Sequence, residues 1–197
     1  AITFAGHKTL YAPFGIGGFL LKTGVDLEEL LAGGNGMKSL SEDMPRYMPE
    51  KMECGSMDTP AIAGLQASLQ WLKPKKIEDD LMEYLIPQLR EIPGLHLYCA
   101  PDPTLQAGVI SLNLDGFRAN EVGAILDKEW DIAVRAGHHC AARIHKHLKD
   151  QEFDGTVRVS LSAFTTKEEL DTLVKALKSI DRDMLKGISS SVLRGNC

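Results

Sequence analysis

The 197-residue chain is 44% hydrophobic and 25% charged, enough apolar material for a real core and a length that suits one large domain or a domain and a half. Its net charge of −5 argues against a nucleic-acid partner. Its apolar runs are too short to span a membrane, and no signal peptide is visible.

The chain begins at Ala1 without Met, and by Phe4 it reads as mid-domain sequence. A fragment of a longer protein is expected; an intact gene product near 21.6 kDa would contradict this. Residues 1–22 hold an apolar start, a Gly/Pro-rich loop from Ala12 to Gly18 and a strand-like run, "GGFLLK". "VDLEELL" (25–31) predicts one or two helical turns. Residues 32–60 are long and irregular, with four Gly and three Pro, the kind of segment that is functional or disordered inside a domain. Thr59 as N-cap and Pro60 at the first position open a helix through Ile62, Leu65, Leu69 and Leu72, closed by Pro74. A second helix is expected from Lys76 to Arg90, with apolar residues at 77, 81, 85 and 89 and a possible kink at Pro87.

Strands are expected at 94–100 and 107–116, a helix at 118–130 capped by Asn120, a short strand ending at Gly137, and the clearest strand at 155–162. "TKEELDTLVKALKSIDRDML" (166–185) is amphipathic, and Thr166 with Glu169 makes a capping box. From residue 76 the order is α-β-β-α-β-β-α. It predicts an α/β fold with helices on one face of a mainly antiparallel sheet. The division expected is 1–75, a small domain at 76–185, and a mobile tail at 186–197.

Four cysteines, at 54, 99, 140 and 197, form no CxxC pattern. That speaks against a disulfide framework and for a reducing, cytoplasmic compartment. Cys99 reads as core, and Cys54 and Cys197 have no suggestive neighbours. Cys140 stands in "AVRAGHHCAAR" after a glycine turn, with Arg135, His138, His139 and Arg143 close in sequence. It reads either as an activated thiol or as an inert buried one. A metal site would draw on His138, His139, Cys140, His145 and His147, but H-H-C-x4-H-x-H matches no established ligand spacing. His145 and His147 look like the solvated side of a short helix, and no metal is expected. Lys8, after the apolar "ITFAG" and His7, is a strand-end lysine. It is either solvated or half-buried and nucleophilic. Arg158 shares a strand face with Thr156, Ser160 and Ser162, opposite Val157, Val159 and Leu161. It can bind a carboxylate through two hydrogen bonds or sit in a surface ion pair. "GGNG" (33–36) can wrap an anion with backbone N–H groups, and Arg118 reads as a solvated residue that caps a helix start.

Taken in order, five segments resemble the class V aminotransferases, and within them the cysteine desulfurases. "FAGHKTLYAPFGIGGFLLK" is similar to the segment F-x-G-H-K, Gly-Pro-x-Gly-x-Gly-Gly and strand that carries the pyridoxal-phosphate lysine. "LAGGNG" resembles that family's Gly-Gly-Thr-Gly. "MECGSMDTPAIAGLQASLQWL" resembles F-E-x-G-T-x-N-x-P and its helix. "VRAGHHCA" resembles the R-x-G-x-H-C-A loop of group II desulfurases, and "GTVRVSLSAFTTKEELDTLVKAL" the segment closing the small domain. The resemblance runs from about residue 3 to 180. It implies the C-terminal part of a fold-type I transferase, with 1–75 a remnant of the large cofactor-binding domain.

By the same resemblance, Lys8 matches the lysine that forms a Schiff base with pyridoxal phosphate, and His7 matches its neighbour. Cys140 matches the cysteine that attacks the substrate sulfur and carries the persulfide, and Arg158 matches the arginine that binds the substrate carboxylate. Beside these matches, Arg135 is expected to join Arg158 at the substrate, and His138 and His139, next to Cys140, to help form the thiolate. Gly34 and Asn35 fall where the family reaches the cofactor phosphate of the partner subunit. L-cysteine as substrate, a homodimer and a sulfur-acceptor protein follow as expected partners. The departures are Asn35 for Thr, Met52 for Phe, Ser56 for Thr, Asp58 for Asn, and "FTT" at 164–166 for aromatic-Asn-Thr. The family's N-terminal part carries the aspartate under the pyridine nitrogen, the ring-stacking histidine and most phosphate contacts. The chain is therefore expected not to turn over cysteine alone. The alternatives are another class V reaction, such as transamination or selenocysteine lysis, or a non-catalytic interaction module with metal on the His/Cys cluster.

Overall fold

The computed structural model describes residues 1–37, 40–73, 79–102 and 105–189. The chain forms two compact units, Ala1–Lys75 and Lys76–Cys197.

In the first unit β1 (Ile2–Ala5) and β2 (Gly17–Leu20) form an antiparallel two-stranded ribbon with Ile2 opposite Leu20 and Ala5 opposite Gly17. The strand-like run thus ends at Leu20, two residues earlier than expected. The helical turns expected at 25–31 are absent: this stretch is irregular. A helix this short is unfavourable unless a buried face holds it, and Leu30 and Leu31 are exposed. After a 3₁₀ turn at Glu50–Met52 comes α1 (Thr59–Leu72). Its N-cap is Asp58, not Thr59: the Asp58 carboxylate accepts from the Ala61 N–H at 3.0 Å. Asp caps as well as Thr does, and here it precedes Thr-Pro, which already has helical geometry.

The second unit contains α2 (Asp79–Arg90), β3 (Leu95–Tyr98), β4 (Val109–Leu114), α3 (Ala119–Trp130), β5 (Arg135–Gly137), α4 (Ala142–Leu148), β6 (Thr156–Ser160) and α5 (Lys167–Ser179). Its sheet has the order β3-β4-β6-β5 and every pairing is antiparallel. The expected α/β fold is present. Period-two alternation sends Ile110, Leu112, Val157 and Val159 to one face. There they are buried with Met82, Leu85, Ile86 and Leu89 of α2, Val122 and Leu126 of α3, and Leu170, Leu173 and Leu177 of α5.

α2 runs through Pro87. α3 starts one residue before the expected cap. Arg118 is its N-cap, and Glu121 accepts the Arg118 N–H at 2.8 Å, so Asn120 lies inside the helix. In α5 the capping box forms as expected. The Thr166 hydroxyl accepts from Glu169 N–H at 3.3 Å, and Glu169 accepts from Thr166 N–H at 2.9 Å. The helix ends at Ser179 rather than 185, because Ile180 turns extended and Asp181 caps a 3₁₀ turn at Arg182–Leu185. Pro74, the start of α2 at Lys76 and Ile77, and the tail residues 190–197 with Cys197 lie outside the described residues. No described helix is long and apolar enough to cross a membrane.

Candidate active site

In the first unit the 6–16 loop carries His7 and Lys8. It folds back through Gly6 N–H to Ile16 O (2.8 Å), Ala12 N–H to Gly6 O (2.9 Å) and Tyr11 N–H to Lys8 O (3.0 Å). Pro13 seats the loop on α1 at Gly64, where a Cβ would stand 2.4 Å from Pro13 Cγ. The His7 ring stacks on Phe14, with centroids 4.8 Å apart, and its Nδ1 has no hydrogen-bond partner among the described residues. Lys8 is exposed, so the half-buried lysine is not what forms. A two-stranded ribbon leaves its own apolar residues in water, Ile2 at 65% exposure among them, and cannot cover a neighbour.

Gly34 and Asn35 lie in the long irregular segment. Gly34 O accepts from Gly55 N–H at 2.9 Å, and Asn35 Oδ1 accepts from Met37 N–H at 3.1 Å. Asn35 Nδ2 is buried and has no partner among the described residues. Two clefts, of about 560 and 420 Å³, share Gly34, Asn35 and Gly36 in their walls. An unpartnered donor beside a glycine-rich turn suits an anionic oxygen such as a phosphate, whereas Lys8, exposed, lacks the desolvation that activates an amine.

In the second unit the polar face of the sheet assembles the remaining candidates. β5–β6 register sets Arg135 opposite Arg158, and β4–β6 register sets Ser111 on the other side of Arg158. Like charges directly opposite on neighbouring strands repel. Arg158 Nε is moreover buried with no partner among the described residues. Together the two guanidinium groups form a site that favours an anion. Gly155, at φ +102°, makes the approach of β5 possible, since a Cβ there would stand 2.5 Å from Gly137 O.

After β5 the chain turns through residues 138–141, closed by Ala141 N–H to His138 O at 2.9 Å. His139 and Cys140 both adopt left-handed backbone, with φ of 53° and 58°. Cys140 is exposed, which excludes the inert buried thiol, and Arg135 Nη2 reaches its sulfur at 4.0 Å. His139 Nε2 meets Thr156 O at 3.0 Å and Thr156 Oγ1 at 2.9 Å. A carbonyl only accepts, so Nε2 carries the proton and Nδ1 is left as a lone pair; Nδ1 has no partner among the described residues. Burial first, and then the Arg158 charge, hold the His139 pKa below its ordinary value. The ring is a neutral base beside the cysteine in sequence.

His145 departs from expectation. It is 6% exposed rather than solvated; its Nδ1 faces the buried Asp150 carboxylate, and its Nε2 meets His138 O at 3.0 Å. Two partners draw the ring inward, whereas His147 stays exposed. Among the described residues no group of three or more His, Cys, Asp or Glu is placed to hold a metal ion. Cys99 lies just beyond β3, half-buried against the core, with Arg90 Nη2 3.8 Å from its sulfur. Sequence reasoning missed the roles of Thr156 and Asp150. Each is defined by a partner that only tertiary packing supplies.

A family model described as Aminotransferase class-V matches residues 1–173. A probable cysteine desulfurase of Methanothermobacter thermautotrophicus is 34% identical over 187 residues, covering 90% of this chain and 46% of that protein. A cysteine desulfurase of Escherichia coli O127:H6 is 38% identical over 191 residues, covering 91% and 45%. Among solved structures, apo cysteine desulfurase from Thermococcus onnurineus NA1 matches with a TM-score of 0.76 at 30% identity, covering 89% of this chain and 45% of that one. An Escherichia coli cysteine desulfurase in an S-sulfonic acid form matches with a TM-score of 0.71 at 29% identity, covering 89% and 44%. The chain thus spans less than half the length of the proteins it matches.

Proposed function

The chain belongs to the class V aminotransferase family, and from that premise we propose that it is the C-terminal portion of a pyridoxal-phosphate-dependent cysteine desulfurase. The observation that carries this reading is Cys140, exposed on a left-handed turn with Arg135 at its sulfur and Arg158 across the strand pair. Arg158 binds the α-carboxylate of L-cysteine, and Arg135 lends the second positive charge. His138 and His139, beside Cys140 in the chain, help to form its thiolate. The Cys140 sulfur then attacks the substrate sulfur. The S–S bond forms as the substrate C–S bond breaks, and the freed carbon takes a proton to give alanine.

Pyridoxal phosphate, when bound, supplies the electron sink that makes the carbon–sulfur bond labile. Lys8 Nζ would hold it and move protons at the substrate carbon. Gly34 and Asn35 would reach its phosphate across a homodimer, where the unpartnered Asn35 Nδ2 finds an acceptor. The persulfide is passed on to an acceptor protein. The unpaired thiols of Cys54, Cys99 and Cys140 support a reducing, cytoplasmic setting.

The test is turnover in the longer protein, with single substitutions. Cys140→Ala should stop sulfide release while the cofactor absorption band persists, and Lys8→Ala should abolish the band. Arg158→Lys should raise KM for cysteine roughly 10- to 100-fold, since the two-pronged contact is lost. Sulfide release that survives Cys140→Ala would move the assignment to another class V reaction.

A further inference from the structure

We infer that His145 and Asp150 form a positioning pair that clamps the Cys140 turn from within the segment that follows it. The significance of this clamp for catalysis rests on the reading of Cys140 given above; the clamp itself rests on geometry.

The turn needs an external hold. His139 and Cys140 are consecutive non-glycine residues in left-handed backbone, a conformation that persists only where surroundings enforce it. The helix that follows cannot enforce it. α4 has seven residues, and its N-cap, Ala141, makes no side-chain hydrogen bond. A helix so short does not stand by itself.

The pair supplies the hold from inside. His145 Nε2–H donates to the His138 carbonyl at 3.0 Å, the same oxygen that accepts Ala141 N–H. His145 Nδ1 meets the Asp150 carboxyl group, so each ring nitrogen has a partner. His145 is 6% and Asp150 1% exposed. Asp150 follows the left-handed C-cap Lys149 at φ 56°, so one ring inside α4 ties His138, four residues before the helix, to Asp150, two residues after it. The His138 and His139 rings pack against His145, with centroids 4.9 and 6.1 Å away. The second anchor, His139 on Thr156, fastens the same turn to β6. The sulfur is left open to solvent while the backbone beneath it is held at two points.

The experiment uses the chain itself, with Asp150→Ala, His145→Phe and the conservative Asp150→Asn, whose amide still pairs with Nδ1. Amide hydrogen exchange is mapped by peptide, with β4 and β6 as internal reference. Iodoacetamide labelling of Cys140 is followed against pH, with Cys54 as comparator. Asp150→Ala and His145→Phe should speed exchange over residues 138–148 roughly tenfold while β4 and β6 keep their protection. They should also change the Cys140 labelling rate at least about threefold and displace its pH profile, and Asp150→Asn, which keeps an acceptor but not the charge, should restore part of both. Unchanged exchange at 138–148 in both variants overturns the clamp. Equal loss of protection across the whole unit also overturns it, because the pair would then support the fold rather than the turn. Local loss of protection, in a chain whose unsubstituted Cys140 labels no faster than Cys54, upholds the clamp and defeats the reading of Cys140 as a nucleophile.

Discussion

At the residue scale the informative feature is the opposition of Arg135 and Arg158 on neighbouring strands. An unneutralised like-charge pair costs about 0.2–1 kcal/mol, and Arg158 adds a buried donor without a partner among the described residues. The same charge acts on His139, whose pKa is lowered by burial first and by Arg158 next, against a smaller rise from the Thr156 carbonyl. Arg158→Met should therefore raise the His139 pKa, read from the imidazole proton shift in an NMR titration; an unmoved or lower value would separate the two residues electrostatically. The sign for stability follows. As pH falls, the unfolded chain protonates His139 near its ordinary 6.5 before the folded chain does. The His139 contribution is thus constant well above 6.5 and destabilises the fold as pH drops below it, until the folded ring also protonates. His139→Asn, which keeps a donor for Thr156, should flatten that part of a melting-temperature profile between about pH 8 and 5.

At the element scale, close approach decides what propensity alone would misjudge. Gly64→Ala would ordinarily help α1 by roughly 0.5–1 kcal/mol, but the added methyl would stand 2.4 Å from Pro13 Cγ. Overpacking costs about 1–3 kcal/mol, so the collision wins. Amide exchange in the 6–16 loop should quicken severalfold with α1 helicity unchanged; slower exchange would mean that the loop yields freely. In α5, Thr166→Ala loses the cap of a helix that buries Leu170, Leu173, Val174, Ala176 and Leu177. A loss of about 1 kcal/mol should lower the melting temperature by about 4 °C.

These elements also show what a reader of the sequence can see. The strands and α5 were legible because alternation and helical spacing report a buried face directly. "VDLEELL" misled because its helical pattern has no core to face, and Asn120 misled because capping depends on backbone angles that neighbours set. Lys8, Cys140 and Arg158 were singled out through ordered motifs. The Arg135–Arg158 opposition depends on strand register. The inward His145 depends on Asp150, beyond the end of its helix, so neither leaves a local sequence signal.

For the whole molecule, the two units differ in what each buries. Among the described residues, the buried hydrophobic cluster draws its members from residues 82–177, whereas the first unit buries only Ala12, Ala61 and Leu72 of its large or aliphatic apolar residues and exposes Phe14, Leu20, Leu30, Leu31, Leu40 and Leu69. A two-stranded ribbon is marginal by itself, and burial of apolar area is the main favourable term in folding. Residues 79–189 should therefore exchange slowly and resist protease, while residues 1–73 exchange fast and are cut first. The chemistry divides along the same line. Lys8, Gly34 and Asn35 lie in the weakly held unit, and Cys140, His139 and Arg158 in the stable one. A lysine whose surroundings are not held has no advantage over other surface lysines as an amine. Pyridoxal phosphate followed by borohydride should leave reduced adducts scattered over many lysines of the isolated chain, with no alanine released from cysteine. A yellow band and an adduct confined to Lys8 would overturn that expectation, because the first unit would then organise its site despite the apolar surface it leaves in water.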